Sequence, residues 1–518
     1  MNSVKKFINF RFLIIFLISL QIAGNENPYF KIDETLIIGI DINEKVEAYL
    51  GVPYAEPPIN NLRWTEPKNK KFNTSIYEAS DYKPACMQTA RIANWYKGVA
   101  AGFGGDPSYI ELPEISEDCL YLNIWKPKNK NQDIPVLVFI HGGSNKAGWS
   151  YEPNYNGLNL SQNGIIVITI AYRLGVFGFY SHPDLNKSNF ALLDIIHSLK
   201  WIKEHIHKIG GDPNNITISG ESAGATNIAH LITSPLSINL FNKAIHQSAG
   251  SFIADYSIYK DSSSALKNSD KLSYELFGKF NIDTKLEELK EIDSETLLNV
   301  SEKIYPYFYP LVDGHSILTP VKESLLIGKF HNIDLIIGSN MDEELMYLEE
   351  NYLFSDFLKD RESWGMYASA ENISNYVLNK ATNREKLNFL LTSREYTCPS
   401  FYIADQFNKY NRSVWVYSFD RVRDSTKSQE MGAYHGAELP YIFNTHDEWL
   451  PTSKIDIQLT DSIQNYWINF IKSNNPNNDE TREKWPQHIY GSYKALSFNN
   501  AIKYSQNPSI SICKILNF

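Results

Sequence analysis

Cysteine is scarce, with four in 518 residues. That is too few for a disulfide scaffold, so the fold must rest on buried apolar surface. Positive charge is in the minority. Lys+Arg 49 against Asp+Glu 59 gives a net charge of −10, which argues against a nucleic-acid partner, because phosphate contact needs a basic surface. Apart from Phe12–Leu20 there is no long apolar run, and there is no internal repeat, low-complexity tract or linker long enough to separate domains. No H-E-x-x-H occurs, and His205 and His207 sit two apart on a helical pattern, where they face different directions. Neither a metal nor a cofactor is expected. What remains is the composition of an ordinary folded protein, 43% hydrophobic and 21% charged.

The N-terminus reads as an address. Lys5, Lys6 and Arg11 precede the apolar run, and the small-residue exit Ile22-Ala23-Gly24 precedes polar Asn25-Glu26-Asn27. Basic, apolar, small is the pattern of a secretory signal peptide, and the run is shorter than the roughly 20 residues of a spanning helix. The expectation is cleavage near Gly24, leaving 25–518 as one domain without a stable membrane anchor, secreted or periplasmic. There the four cysteines can pair. Oligomeric state is left open.

Thr35–Tyr54 alternates around Gly39 and Gly51, as short antiparallel strands do. Continuous apolar runs follow at Pro135–Ile140, Gly164–Ala171, Ile216–Ser219, Leu335–Gly338 and Val414–Phe419. Such runs suit strands buried on both faces of a mostly parallel sheet. Within Asn189–Ile209, Leu192, Ile195, Leu199, Ile202 and Ile206 mark one helical face, and Gly210-Gly211 stops it. Strand, helix, strand predicts an α/β fold. The charged, helical stretch Asp261–Ser301 is expected to pack on the sheet as an insertion.

Directly after Ile216–Ser219 stands Gly220-Glu221-Ser222-Ala223-Gly224, a G-x-S-x-G. Alone it is weak, since a chain of this length has about a one-in-ten chance of a random match. A strand before it and a helix after it make it a nucleophile elbow. Ser222 then needs a base and an acid, in the chain order serine, acid, histidine. His435 lies in a late loop, Gly432–Glu438, and Asp342, Glu343 and Glu344 follow the strand Leu335–Gly338. Composition does not choose among the three carboxylates.

Several passages match a known family together: Glu117–Asn123 (EDCLYLN), His141-Gly142-Gly143, Tyr172-Arg173-Leu174-Gly175, Gly210-Gly211-Asp212-Pro213, Gly220–Gly224, Gly338–Glu343 and His435-Gly436. From about Thr35 to Cys513 the chain resembles the type-B carboxylesterase/cholinesterase family of α/β-hydrolases. The resemblance implies a large, mostly parallel central sheet flanked by helices, with small antiparallel N-terminal strands. It implies Ser222 as nucleophile, His435 as base and then acid, and Glu343 as the carboxylate that orients the imidazole, with Glu344 in place of the usual glycine. It places oxyanion donors at the backbone N–H groups of Gly143, Ser144 and Ala223, and Glu221 and Ser248 beside the triad. Cys86 with Cys119 and Cys398 with Cys513 match its disulfides. Arg63 with Glu117 and Arg173 with Asp194 match its buried ion pairs.

Three finer expectations follow. Ser144 stands where many relatives carry a third glycine, so the loop is expected to take φ < 0 there and to narrow the acyl side. Ten residues before Cys119, Tyr109 occupies the counted place of the tryptophan that binds cations in choline-selective members. Histidine chemistry should give an acidic limb near pH 6.5. The reading is a secreted serine carboxylesterase for small-molecule uncharged esters. The alternatives are a catalytically inactive cholinesterase-like adhesion protein, or an esterase with cholinesterase or lipase preference.

Overall fold

The computed structural model describes residues 27–129, 132–254, 263–304, 308–363, 365–425, 427–446, 449–481 and 483–516. The expected signal peptide, residues 1–24, lies outside the described residues. Eleven strands form the main sheet. From one edge they run Lys503–Gln506, Lys494–Phe498, Val414–Phe419, Asp334–Asn340, Lys243–Gln247, Gly211–Glu221, Ile134–Ile140, Ile166–Ile170, Tyr121–Pro127, Val46–Pro53 and Ile40–Asp41. From Lys494–Phe498 to Ile166–Ile170 all neighbours are parallel, and the strands outside that block are antiparallel. Near the N-terminus Tyr29–Ile32 pairs antiparallel with Thr35–Ile38, and Ile76–Glu78 joins parallel to the latter. This is the α/β-hydrolase architecture expected.

The apolar runs are continuous because successive side chains enter different cores. Val136, Val138 and Ile140 pack into one and Leu137 and Phe139 into the other. Leu335 and Ile337 part from Ile336 in the same way. Helix Phe190–His205 crosses from Ile166–Ile170 to Gly211–Glu221, and Ile134–Ile140 lies between those strands. Leu192, Ile195, Leu199, Ile202 and Ile206 all sit in the first core, and the chain turns at Gly210 with φ 84°. The expected insertion contains helices Ser263–Phe277, Leu286–Lys290 and Ser294–Lys303. Its Leu272, Leu286, Leu289 and Leu297 join that same core.

Cys86–Cys119 and Cys398–Cys513 are bonded, with Cα separations of 5.0 and 5.3 Å. The second ties the C-terminal segment to a separate cluster that includes Phe357, Leu387 and Leu390. Arg63 bonds to Glu117 through both Nε and Nη2, at 2.8 and 2.5 Å. Among the described residues no helix is long and apolar enough to cross a membrane.

Arg173 and Asp194 form a fork at 2.7 and 2.6 Å with both side chains buried. Removing one partner strands a charge away from water, which costs about 3–5 kcal/mol. Arg173→Leu is expected to lower unfolding stability by that amount in urea titration. A change near zero would show that Asp194 finds another partner.

Candidate active site

The strand Gly211–Glu221 runs into helix Ala223–Thr233 with only Ser222 between them. Ser222 holds φ 56° and ψ −124°, a conformation that costs of order 1–3 kcal/mol and clusters at functional sites. The flanking glycines let strand and helix approach. A Cβ on Gly224 would collide with the Ile140 carbonyl oxygen, and one on Gly220 would lie 2.8 Å from it. The Ser222 N–H donates to Gln247 O at 2.9 Å, which fixes the turn to the neighbouring strand.

Geometry separates the three carboxylates after Asp334–Asn340. Glu343 is fully buried, its Oε1 accepts the Asn340 N–H at 2.7 Å, and its Oε2 lies 2.6 Å from His435 Nδ1. Asp342 points elsewhere and accepts from the Ala433 N–H and Asn388 Nδ2, at 2.9 and 2.8 Å. Glu344 accepts the Tyr396 hydroxyl at 2.7 Å. His435 is thus brought against Glu343 rather than Asp342 or Glu344. On its other side, Nε2 lies 3.1 Å from Glu221 Oε1. Among the described residues no hydrogen bond joins Nε2 to Ser222.

This sandwich governs the protons. Burial pulls the imidazole down, but Glu221, Glu343 and Glu344 push it up further, to about 10. Burial raises Glu221 to about 8, although His435 opposes it and Glu438, Glu343 and Glu152 assist. With Nδ1–H given to Glu343, a neutral ring would present a lone pair to Glu221 Oε1. Glu221 Oε1 has no hydrogen-bond partner among the described residues, so its contact with Nε2 is an attraction between charges rather than a formed hydrogen bond.

Gly143, Ser144 and Ala223 border the space around Ser222. Their N–H groups have no hydrogen-bond partner among the described residues, and Ala223 opens a helix, where unpaired N–H groups favour negative charge. The expectation of φ < 0 at Ser144 is wrong. Gly143, Ser144 and Asn145 take φ 97°, 59° and 55° in succession. That left-handed run brings the N–H groups of Lys146 and Ala147 back to Gly143 O, each at 3.1 Å. The turn dictates the sign, and serine bears a cost of about 1–2 kcal/mol for it. Asn145 is held by Asn227 Nδ2 at 2.9 Å. Ser248 is fully buried, in the wall of the smaller lobe described next.

Two lobes meet at Ser222. The larger, about 670 Å³, is lined by Trp95, Glu152, Glu221, Glu344, Tyr347 and His435 among others. The smaller, about 170 Å³, is lined by Ser144, Ala223, Ser248, Tyr309 and Glu395 among others. Ser144 and Tyr396 belong to both. Tyr109 is not in either lining and is 64% exposed on a short turn. The tryptophan that faces the site is Trp95, on helix Arg91–Phe103, and its Nε1 donates to Tyr347 Oη at 2.9 Å. Sequence reasoning also missed Tyr396, Glu152 and the role of Glu438.

The family model of the carboxylesterases matches residues 28–514. The chain is 30% identical to acetylcholinesterase of Bungarus fasciatus over 514 residues, covering 91% of this chain and 82% of that one. It is 29% identical to para-nitrobenzyl esterase of Bacillus subtilis (strain 168) over 482 residues, covering 89% and 93%. A solved PNB esterase superposes with a TM-score of 0.79 at 26% identity, covering 95% of this chain and all of that one. The chain belongs to the carboxylesterase family and is a carboxylic ester hydrolase.

The sandwiched imidazole has a measurable consequence. A group above its ordinary pKa gives up its proton only as pH rises through the raised value, so the free base is scarce at pH 6.5. The acidic limb of kcat/KM is expected above pH 6.5. Glu221→Gln, which removes one of the carboxylates holding the proton, should move it down. A native limb at 6.5 that the variant leaves in place would contradict this.

Proposed function

We propose that the chain is an exported serine esterase that hydrolyses uncharged carboxylic esters of small molecules through an acyl-serine intermediate. Ser222 is the nucleophile, His435 the base and then the acid, and Glu343 the group that orients the imidazole. The observation that carries this reading is the 2.6 Å contact of Glu343 Oε2 with His435 Nδ1 beside the cavity that holds Ser222. Three unpaired N–H groups border the same space.

For reaction, His435 must be the free base, and Nε2 turns from Glu221 to Ser222. Oγ attacks the ester carbonyl carbon while Nε2 takes the hydroxyl proton. The carbonyl oxygen becomes an oxyanion facing the N–H groups of Gly143, Ser144 and Ala223. The carbon–oxygen bond to the alcohol then breaks as Nε2–H protonates the leaving oxygen. Water repeats the sequence and frees the acid. Nothing in these steps calls for a cofactor. Export is supported by the two disulfides, which persist in oxidising compartments, together with the N-terminal pattern that places the mature start after Gly24.

One observation favours a second reading. Trp95 shares the larger lobe with Glu221 and Glu344, and an indole face among carboxylates attracts a cationic alcohol. Comparing p-nitrophenyl butyrate with butyrylthiocholine separates the two readings. Ser222→Ala is expected to cut kcat on p-nitrophenyl butyrate by about 10⁴-fold or more, and Glu343→Gln to be nearly as severe. Full turnover by Ser222→Ala would overturn the mechanism.

A further inference from the structure

His435 and Gly436 line the larger lobe and are absent from the lining of the smaller one. The group that protonates the leaving oxygen must stand beside it, so the alcohol part of the ester occupies the larger lobe and the acyl part the smaller.

Three carboxylates face the alcohol. Glu152 is committed, with Oε2 accepting the Tyr96 hydroxyl and Oε1 the Trp149 N–H, both at 2.8 Å. Glu221 faces His435. Glu344 differs from both. Its Oε1 accepts the Tyr396 hydroxyl at 2.7 Å, and its backbone N–H donates to Asn388 Oδ1 at 3.3 Å. Among the described residues no donor bonds to Oε2. The Tyr396 ring stands 5.3 Å from the His435 ring, so the carboxylate is anchored close to where the leaving oxygen must lie. Half-buried in a lobe walled partly by aromatic rings, this oxygen is not sealed in the interior; it opens to the lobe, where a ligand can reach it and donate a charge-assisted hydrogen bond.

We propose that Glu344, aimed by Tyr396, is a specificity-determining residue that accepts a hydrogen bond from an O–H or N–H group on the alcohol part of the ester. This rests on the esterase reading above and narrows it. The preferred substrates carry a hydroxyl or a protonated amine a few atoms from the ester oxygen. Simple alkyl esters lack this contact.

The test uses the full chain and four butyrates of similar size: propyl, 2-hydroxyethyl, 2-(dimethylamino)ethyl and choline. The first pair isolates a neutral donor, and the second isolates N–H from charge alone. At least one donor-bearing ester is expected to exceed its comparator in kcat/KM by about 10-fold, the worth of one hydrogen bond to a charged group, mainly through KM. Which pair shows the ratio identifies the donor as hydroxyl or ammonium. Glu344→Ala should bring that ratio to about one. If that variant does not fold, Tyr396→Phe, which removes the anchor without changing shape, must lower it. Ratios near one in the native enzyme, or unmoved by these variants, overturn the proposal, as does choline butyrate matching the dimethylamino ester with no hydroxyl preference. Failure of the esterase reading looks different, because Ser222→Ala would then still cleave all four.

Discussion

The buried carboxylate of Glu438 ties the site to the sheet. It accepts Gln247 Nε2 at 2.9 Å and Asn340 Nδ2 at 2.7 Å, from the ends of two adjacent parallel strands. Asn340 also donates to Tyr434 O, and its N–H holds Glu343. The Gln247 carbonyl holds the Ser222 N–H. Serine, acid and histidine come from distant parts of the chain, yet all three hang on these two residues. A network of this kind in a low-dielectric interior stiffens what it joins, and of its groups Asn340 Oδ1 is left without a partner among the described residues. The Glu438 carboxyl is itself raised by burial and by Glu343, so the clamp is held at an electrostatic cost.

That cost recurs throughout the site. Glu221, Glu343 and Glu344 act on one imidazole, Glu152 and Glu438 act on Glu221 in turn, and burial lifts Glu152 and Glu221 to about 8. Ser222, Ser144 and Ser248 all carry positive φ, as non-glycine residues rarely do. The two strongly packed cores supply the stability against which this strain is set. The result is a serine held at the strand end beside unpaired N–H groups, with an imidazole set between Glu343 and Glu221.

Much of the fold was legible because strands buried on both faces must be apolar throughout, as PVLVFI and GIIVITIA are. The elbow was legible because close strand–helix passage demands glycine at both Gly220 and Gly224. The choice among Asp342, Glu343 and Glu344 was not, because it depends on the path of the loop, and only the family resemblance named Glu343. The handedness of the turn at Ser144 was hidden for a related reason. A serine there says nothing about the two N–H groups that fold back on Gly143. Tyr109 misled because a count of ten back from Cys119 stops in the exposed turn Pro107–Tyr109, short of helix Arg91–Phe103, which carries Trp95 to the cavity. Tyr396 and Glu438 act through contacts with residues far away in sequence, and no local pattern marks them.

The central claim is that Ser222 is an activated nucleophile that carries the acyl group. A fluorophosphonate reacts covalently with such a serine and leaves a stable adduct. Intact mass followed by peptide mapping of active protein is expected to find one phosphonyl group per chain, on Ser222, and far slower labelling in His435→Ala. An adduct on another residue, or active protein that takes up none, would contradict the account.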